Sequence, residues 1–172
     1  MAKKTAVSTF GKGTRGISVL GWALRGAAAG AAGTTALDTV SYLDIAIRGR
    51  PTSSTPERTV EKLADQSHVR IPGEGQTRQN RLQGLGALTG YAAGIGIGVL
   101  VALVRAAGFR PSPLASTALV TGGVLVATNG PMTVLGVTDP RTWSAADWVS
   151  DVVPHLAYAW VVQATMDAFD RA

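Results

Sequence analysis

The sequence predicts an all-α protein, an integral membrane four-helix bundle with a short amphipathic helix in its first loop. Three observations predict it. Charged residues make up 16% of the 172 and mean hydropathy is +0.20, where soluble domains carry roughly 25% charged residues. Four apolar stretches each reach the roughly 20 helical residues that a bilayer core requires. The 21 glycines also fall at helical spacing, most plainly in "GLGALTGYAAGIGIGVL", where Gly86, Gly90, Gly94 and Gly98 are four apart. In water each mid-helix glycine costs about 1 kcal/mol relative to alanine. In lipid, helices associate by close van der Waals contact, and small residues four apart let two backbones approach.

The elements follow in order within a single membrane domain, 1–172. Residues 1–16, "MAKKTAVSTFGKGTRG", form a basic tail ahead of helix 1 at 17–47. A basic segment before an apolar run is also the signature of a signal peptide. Here Arg25 interrupts the run and the run is too long, so a retained span is expected. "RGRP" at 48–51 stops the helix. The polar loop 48–83 holds a short helix in "STPERTVEKLADQ". Ser54 or Thr55 caps it, Pro56 sits in its first turn and Glu57 faces the free amides. Val60, Leu63 and Ala64 form its apolar strip, suited to a membrane surface or a neighbouring helix. "IPGEGQ" at 71–76 reads as a turn.

Helix 2 is expected at 84–106, with "FRPSP" at 109–113 breaking the chain before helix 3 at 113–137. In helix 3, "TNGP" (Thr128 to Pro131) interrupts the apolar pattern. Ser144 and Asp147 have capping-box spacing, which starts helix 4 near Ala145 and gives it the range 145–170. Every backbone amide in a bilayer must be paired internally, so these segments are helices rather than isolated strands. Trp22, Trp143 and Trp148 fall near span ends, where indole rings favour the headgroup boundary. Trp160 does not, and faces lipid or a partner.

Composition limits the chemistry. There are no cysteines and only two histidines, so disulfides, thiolate sites and a histidine-rich metal cluster are excluded, and no cofactor is expected. The net charge of +5 and pI near 10.1 point to anionic lipid rather than nucleic acid, because no aromatic residues are interleaved with the cations for base stacking. "GLGALTG" lacks the preceding strand that a nucleotide-binding loop needs. No nucleophile elbow is present.

Two sets of residues carry functional expectations. The helix-packing set is Gly26, Gly30, Gly86, Gly90, Gly94 and Gly98. Gly26 and Gly30 continue to Thr34 and match the helix 2 ridge, either inside one protomer or in a homo-oligomer or contact with other membrane subunits. The second set is a candidate polar path, Asp38, Asn129, Asp151 and His155, since ionisable groups in a span are costly and invite a role. Asp151, His155 and Tyr158 share one helical face, Pro154 bends it, and Gln163 and Asp167 extend a polar side. Arg25 is expected to snorkel to the headgroups. An even number of spans puts both termini on one side. The cations divide seven against eight between the sides, which sets no orientation; the compact basic tail favours cytoplasmic termini.

The stretch "GVTDPRTWSAADWVSDVVPHLAYAW", with Gly136, Pro140, a tryptophan and then a histidine ahead of aromatic residues, resembles the end of YagU-like small bacterial inner-membrane proteins. The small-residue helix Gly26 to Leu37 is similar in character. The resemblance covers about a third of the chain and implies a four-span protein of the bacterial inner membrane, without an assigned activity. The Gly/Ala/Arg-rich usage is typical of high-GC bacteria. The function expected is non-enzymatic, a structural or accessory subunit of a membrane assembly. The alternative is a small oligomeric transporter or channel with a polar path through helices 1, 3 and 4, and a membrane enzyme ranks third.

Overall fold

The computed structural model describes residues 17–171, which fold into five α-helices with no strand. The basic tail 1–16 lies outside the described residues. α1 (Val19–Arg48) starts at Ser18, whose hydroxyl accepts the Gly21 amide at 3.1 Å. It stops at Gly49, whose left-handed backbone (φ 62°) lets its N–H reach Ile45 O; few residues but glycine take that conformation cheaply. α2 (Thr55–Gln66) follows. Its cap departs from expectation: Ser54 makes no capping hydrogen bond, and Ser53 Oγ accepts the Thr55 amide instead.

α3 (Gly75–Ala106) begins nine residues before the expected Gly84. Residues 76–83 are polar and carry no apolar periodicity, so they read as loop. They are held as helix by their own propensity, by a Gln76–Asn80 side-chain hydrogen bond and by the Arg78–Glu61 ion pair to α2. α2 packs on these turns through Pro56 and the buried Thr59, over Leu82 and Gly86. Its Leu63 stays 43% exposed.

α4 (Pro113–Val134) is capped by Ser112 and ends three residues short of the expected 137. Gly136, at φ 67°, turns the chain, and the Val137 amide closes onto Met132 O. After a short 3-10 turn at Pro140–Thr142, α5 (Ala145–Arg171) starts where the Ser144/Asp147 spacing places it. The Ser144 amide and hydroxyl donate to Asp147 Oδ2, and the Asp147 amide donates to Ser144 Oγ.

α1 is the central helix. It packs against α3 and α5, and α4 leans on α5 while touching α3 only slightly. The contacts run in opposite directions along each neighbouring couple, Asp38 with Tyr91 and Gly26 beside Gly98, Arg25 with Phe169 and Arg48 with Ser150, Asn129 with Asp151 and Ser116 in one cleft with Gln163. α3 and α5 are therefore both antiparallel to α1, and α4 is antiparallel to α5. The core is thin. Ala29, Ala102, Val124, Tyr158, Ala159, Val162 and Met166 form it, and only Tyr158, Met166 and Val162 are large and fully enclosed.

The exterior is as apolar as the interior. Leu100, Leu119, Val126, Leu156 and Trp160 are between 46% and 73% exposed. α3 is the one helix among the described residues that is by itself long and apolar enough to cross a membrane, with mean hydropathy 2.0 over its best window. Only 17% of that window is buried, unlike the core helix of a water-soluble domain.

Candidate functional site

The glycine ridges set the closest approach in the molecule. A Cβ at Gly26 would meet Gly98 O, Val99 Cα and Ala102 Cβ, and one at Gly98 would meet Gly26 O and the Gly30 backbone. One at Gly30 would meet Gly94 O and Ile95 Cα, and one at Gly94 would meet Thr34 Oγ1. Backbone therefore rests on backbone between α1 and α3, inside one protomer.

The ridge of α3 does not continue along this seam. Gly86 is buried under Pro56 and Glu57 of α2, and a Cβ at Gly90 would meet nothing within 4 Å. The reason is helical pitch. Four residues advance about 400°, so a four-residue ridge turns about 40° per step. Gly94 and Gly98 face α1, and two steps back Gly86 has rotated towards α2, with Gly90 facing neither.

Gly33, which flanks the Gly26–Gly30–Thr34 face in the sequence, receives Tyr158 and Val162 of α5. Tyr158 was expected beside His155 on a polar face. Instead it is 1% exposed, and its hydroxyl donates to Gly94 O at 2.6 Å. It ties α5 to the α1/α3 seam.

Two polar layers cap the helical bundle. The first lies at the end where α1 begins and α5 ends. Arg105 Nη2 donates to Gln163 Oε1 (2.7 Å) and Asp167 Oδ1 (2.6 Å), while Nη1 donates to Asp170 Oδ2 (3.2 Å), which also accepts from Arg110. Gln163 is 5% exposed. Arg25 does not snorkel freely: Nη1 donates to Phe169 O at 3.1 Å, and the guanidinium lies against the Trp22 and Phe169 rings. Arg110 stacks on the other side of the layer over Trp22. Arg105 falls in the last turn of the expected helix 2, and local spacing gives it no partner, although Gln163 and Asp167 stand four apart on a polar side of α5.

The second layer lies at the opposite end. Asp44 accepts from Arg48, Arg50 and Ser150, and Arg48 donates to Ser150. Beside Ser150, Asn129 Nδ2 donates to Asp151 Oδ2 at 2.7 Å, joining α4 to α5. His155 Nδ1 lies 2.7 Å from Asp151 O and 3.5 Å from Asp151 Oδ1. A carbonyl only accepts, so Nδ1 is the donor in the contact with Asp151 O. Pro131 and Pro154 lie inside the two helices beside this contact, each removing one backbone donor without ending its helix.

Three of the four polar-path residues thus meet, and the fourth does not. Asp38 accepts from Tyr91 of α3 at 2.9 Å and has no hydrogen bond or ion pair to the other three. It belongs to the Gly26–Gly30–Thr34 face by its four-residue spacing, so it must look towards α3. No group of histidines and carboxylates suited to a metal ion occurs among the described residues.

Outside the helices Arg141 pairs with Asp139 at 2.8 Å, and this guanidinium, with the Arg141 amide, holds the Asp139 carboxyl below its ordinary range. Hydrogen bonds from the Ser144 hydroxyl and amide do the same for Asp147. Compared with known protein families, curated proteins and solved structures, the chain matches none.

Proposed function

We propose that the chain is a four-span protein of the bacterial cytoplasmic (inner) membrane that acts without catalysis, as a structural or accessory subunit of a membrane assembly. The spacing of the two polar layers supports this most directly. Arg25 and Asp44 are about 29 Å apart along α1, and Asp151 and Asp167 are about 24 Å apart along α5, at roughly 1.5 Å per residue. A bilayer core is about 30 Å thick. Between the layers the large outward side chains include leucine, valine and tryptophan, with the Asp38–Tyr91 pair joining α1 to α3. Outward threonines Thr35, Thr39, Thr117 and Thr133 bond their own helix carbonyls, so their hydroxyls ask nothing of the surroundings. Helices too polar to qualify alone cross as a bundle because their polar groups are paired with one another.

Sedimentation tests the reading. The chain is expected in the membrane pellet after an alkaline carbonate wash, and its release to the supernatant overturns the proposal. An accessory role further requires cross-linking in native membranes to give a defined larger species. A lone monomer in mild detergent and in membranes argues against that part.

The Asn129–Asp151–His155 contact favours a second reading, a proton or ion pathway. Asp38 stands apart from it, which counts against a continuous path. Liposome flux separates the two: flux that is lost in His155→Ala and Asp38→Ala supports transport, and absence of flux in the wild type rejects it.

A further inference from the structure

α3 and α4 part along one side of the bundle and leave a cleft of about 240 Å³ between apolar walls. Leu100 and Val104 stand on one wall, Leu119 and the open Gly123 on the other, with Gln163 of α5 at the floor. On α4 the lining runs from Ser116 to Ala127, about 17 Å along the axis. That is close to the depth of one leaflet, about 15 Å.

One end of the cleft is cationic. Arg105 lines it at 12% side-chain exposure and shares Asp170 with Arg110. In this layer the guanidiniums of Arg25, Arg105 and Arg110 face two carboxylates, Asp167 and Asp170, and Arg25 bonds only a backbone carbonyl.

We propose that the cleft holds an acyl chain of an anionic glycerophospholipid, with the lipid phosphate in the layer of Arg105 and Arg110. The apolar walls accept the chain without selecting a headgroup. Surplus positive charge at the mouth selects an anionic headgroup over a zwitterionic one. Gly123 keeps the cleft open, since a larger residue there would occupy it. The inference rests on the membrane reading above.

The full chain in neutral detergent, supplied with phosphatidylglycerol or phosphatidylcholine at equal molar ratio, provides the test. Native mass spectrometry counts retained lipid and thermal unfolding reports stabilisation. Phosphatidylglycerol is expected as a retained adduct that raises the melting temperature, with phosphatidylcholine doing neither. Gly123→Leu is expected to lose the adduct while keeping the lipid-free melting temperature, because a Cβ there meets nothing within 4 Å. Arg110→Gln is expected to weaken retention about fivefold, and decides the matter if Gly123→Leu folds poorly. Equal retention of the two lipids, or undiminished retention in both variants, overturns the inference. So does a cross-linked dimer that Gly123→Leu abolishes, which would assign the cleft to a second copy. A chain that leaves the membrane pellet on carbonate washing fails the membrane reading itself. One that stays there without preferring phosphatidylglycerol fails this inference alone.

Discussion

At the scale of single residues, the glycines divide by what stands opposite each. Gly98→Ala would drive a methyl group into the Gly26 carbonyl and Gly30 backbone, and neither can move without separating α1 from α3. Forced overpacking costs about 1–3 kcal/mol, so a lowered melting temperature in detergent is expected. Gly90→Ala meets nothing within 4 Å and is expected to be neutral or slightly stabilising. Equal effects of the two substitutions would remove the seam as the origin of the glycine pattern. The sequence pattern put both residues on one ridge with equal standing. It shows which residues are small, whereas the helical drift and the partner helix decide which of them are used.

Arg105 shows the same gap from the opposite side. Its value as a connector lies in Gln163, Asp167 and Asp170, which are about 60 residues away in the chain and cannot be paired with it by local spacing. Arg105→Gln removes the donor from the buried Gln163 carbonyl and from Asp167, while Asp170 keeps Arg110. A loss of about 2 kcal/mol is expected, read as a lower denaturation midpoint, with Arg105→Lys recovering only part because it lacks the fork of donors.

Among the elements, α5 begins with a reciprocal cap between Ser144 and Asp147. The hydroxyl and amide of Ser144 bond the Asp147 carboxylate, so its pKa in the folded chain is lower than in the unfolded one. The sign follows directly. Stability from this cap is fully present above the ordinary carboxylate range, near pH 4, and is lost as pH falls through the lowered folded value. Asp139, held by Arg141, adds a contribution of the same sign. Trp143 and Trp148 form an edge-to-face pair beside the cap, with centroids 5.0 Å apart. Tryptophan fluorescence is therefore expected to be flat between pH 5 and 8 and to change only in acid. Ser144→Ala is expected to move that change to higher pH. A shift of the midpoint to lower pH in this variant would reject the account. The cap itself was legible in the sequence because its geometry needs only residues three apart. The early start of α3 was not, because its first turns are held by α2, through Arg78 and Glu61.

For the molecule as a whole, many large apolar side chains stand exposed between two charged layers. A water-soluble bundle with a core this thin and an exterior this apolar would aggregate. In the proposed membrane setting lipid would satisfy the same surface, and the close backbone contact of α1 and α3 would supply the packing that the hydrophobic effect cannot. Carbonate-resistant sedimentation is the expected behaviour of the whole chain. The open side between α3 and α4 shows that four helices alone do not close the bundle, which is consistent with an occupant there.

The sequence by itself determined the helical class, the breaks at "RGRP" and "FRPSP", the cap of α5 and the presence of small-residue faces. These depend on backbone propensity and on residues within one or two turns. Only the tertiary structure decided that Gly26 and Gly30 meet Gly94 and Gly98 while Gly86 serves α2 and Gly90 serves neither. It also decided that Asp38 turns to Tyr91, that Tyr158 is buried and that Arg105 joins α3 to α5. Each of those outcomes depends on which helix lies opposite and at what rotation, and a one-dimensional pattern drifting about 40° every four residues leaves that choice open.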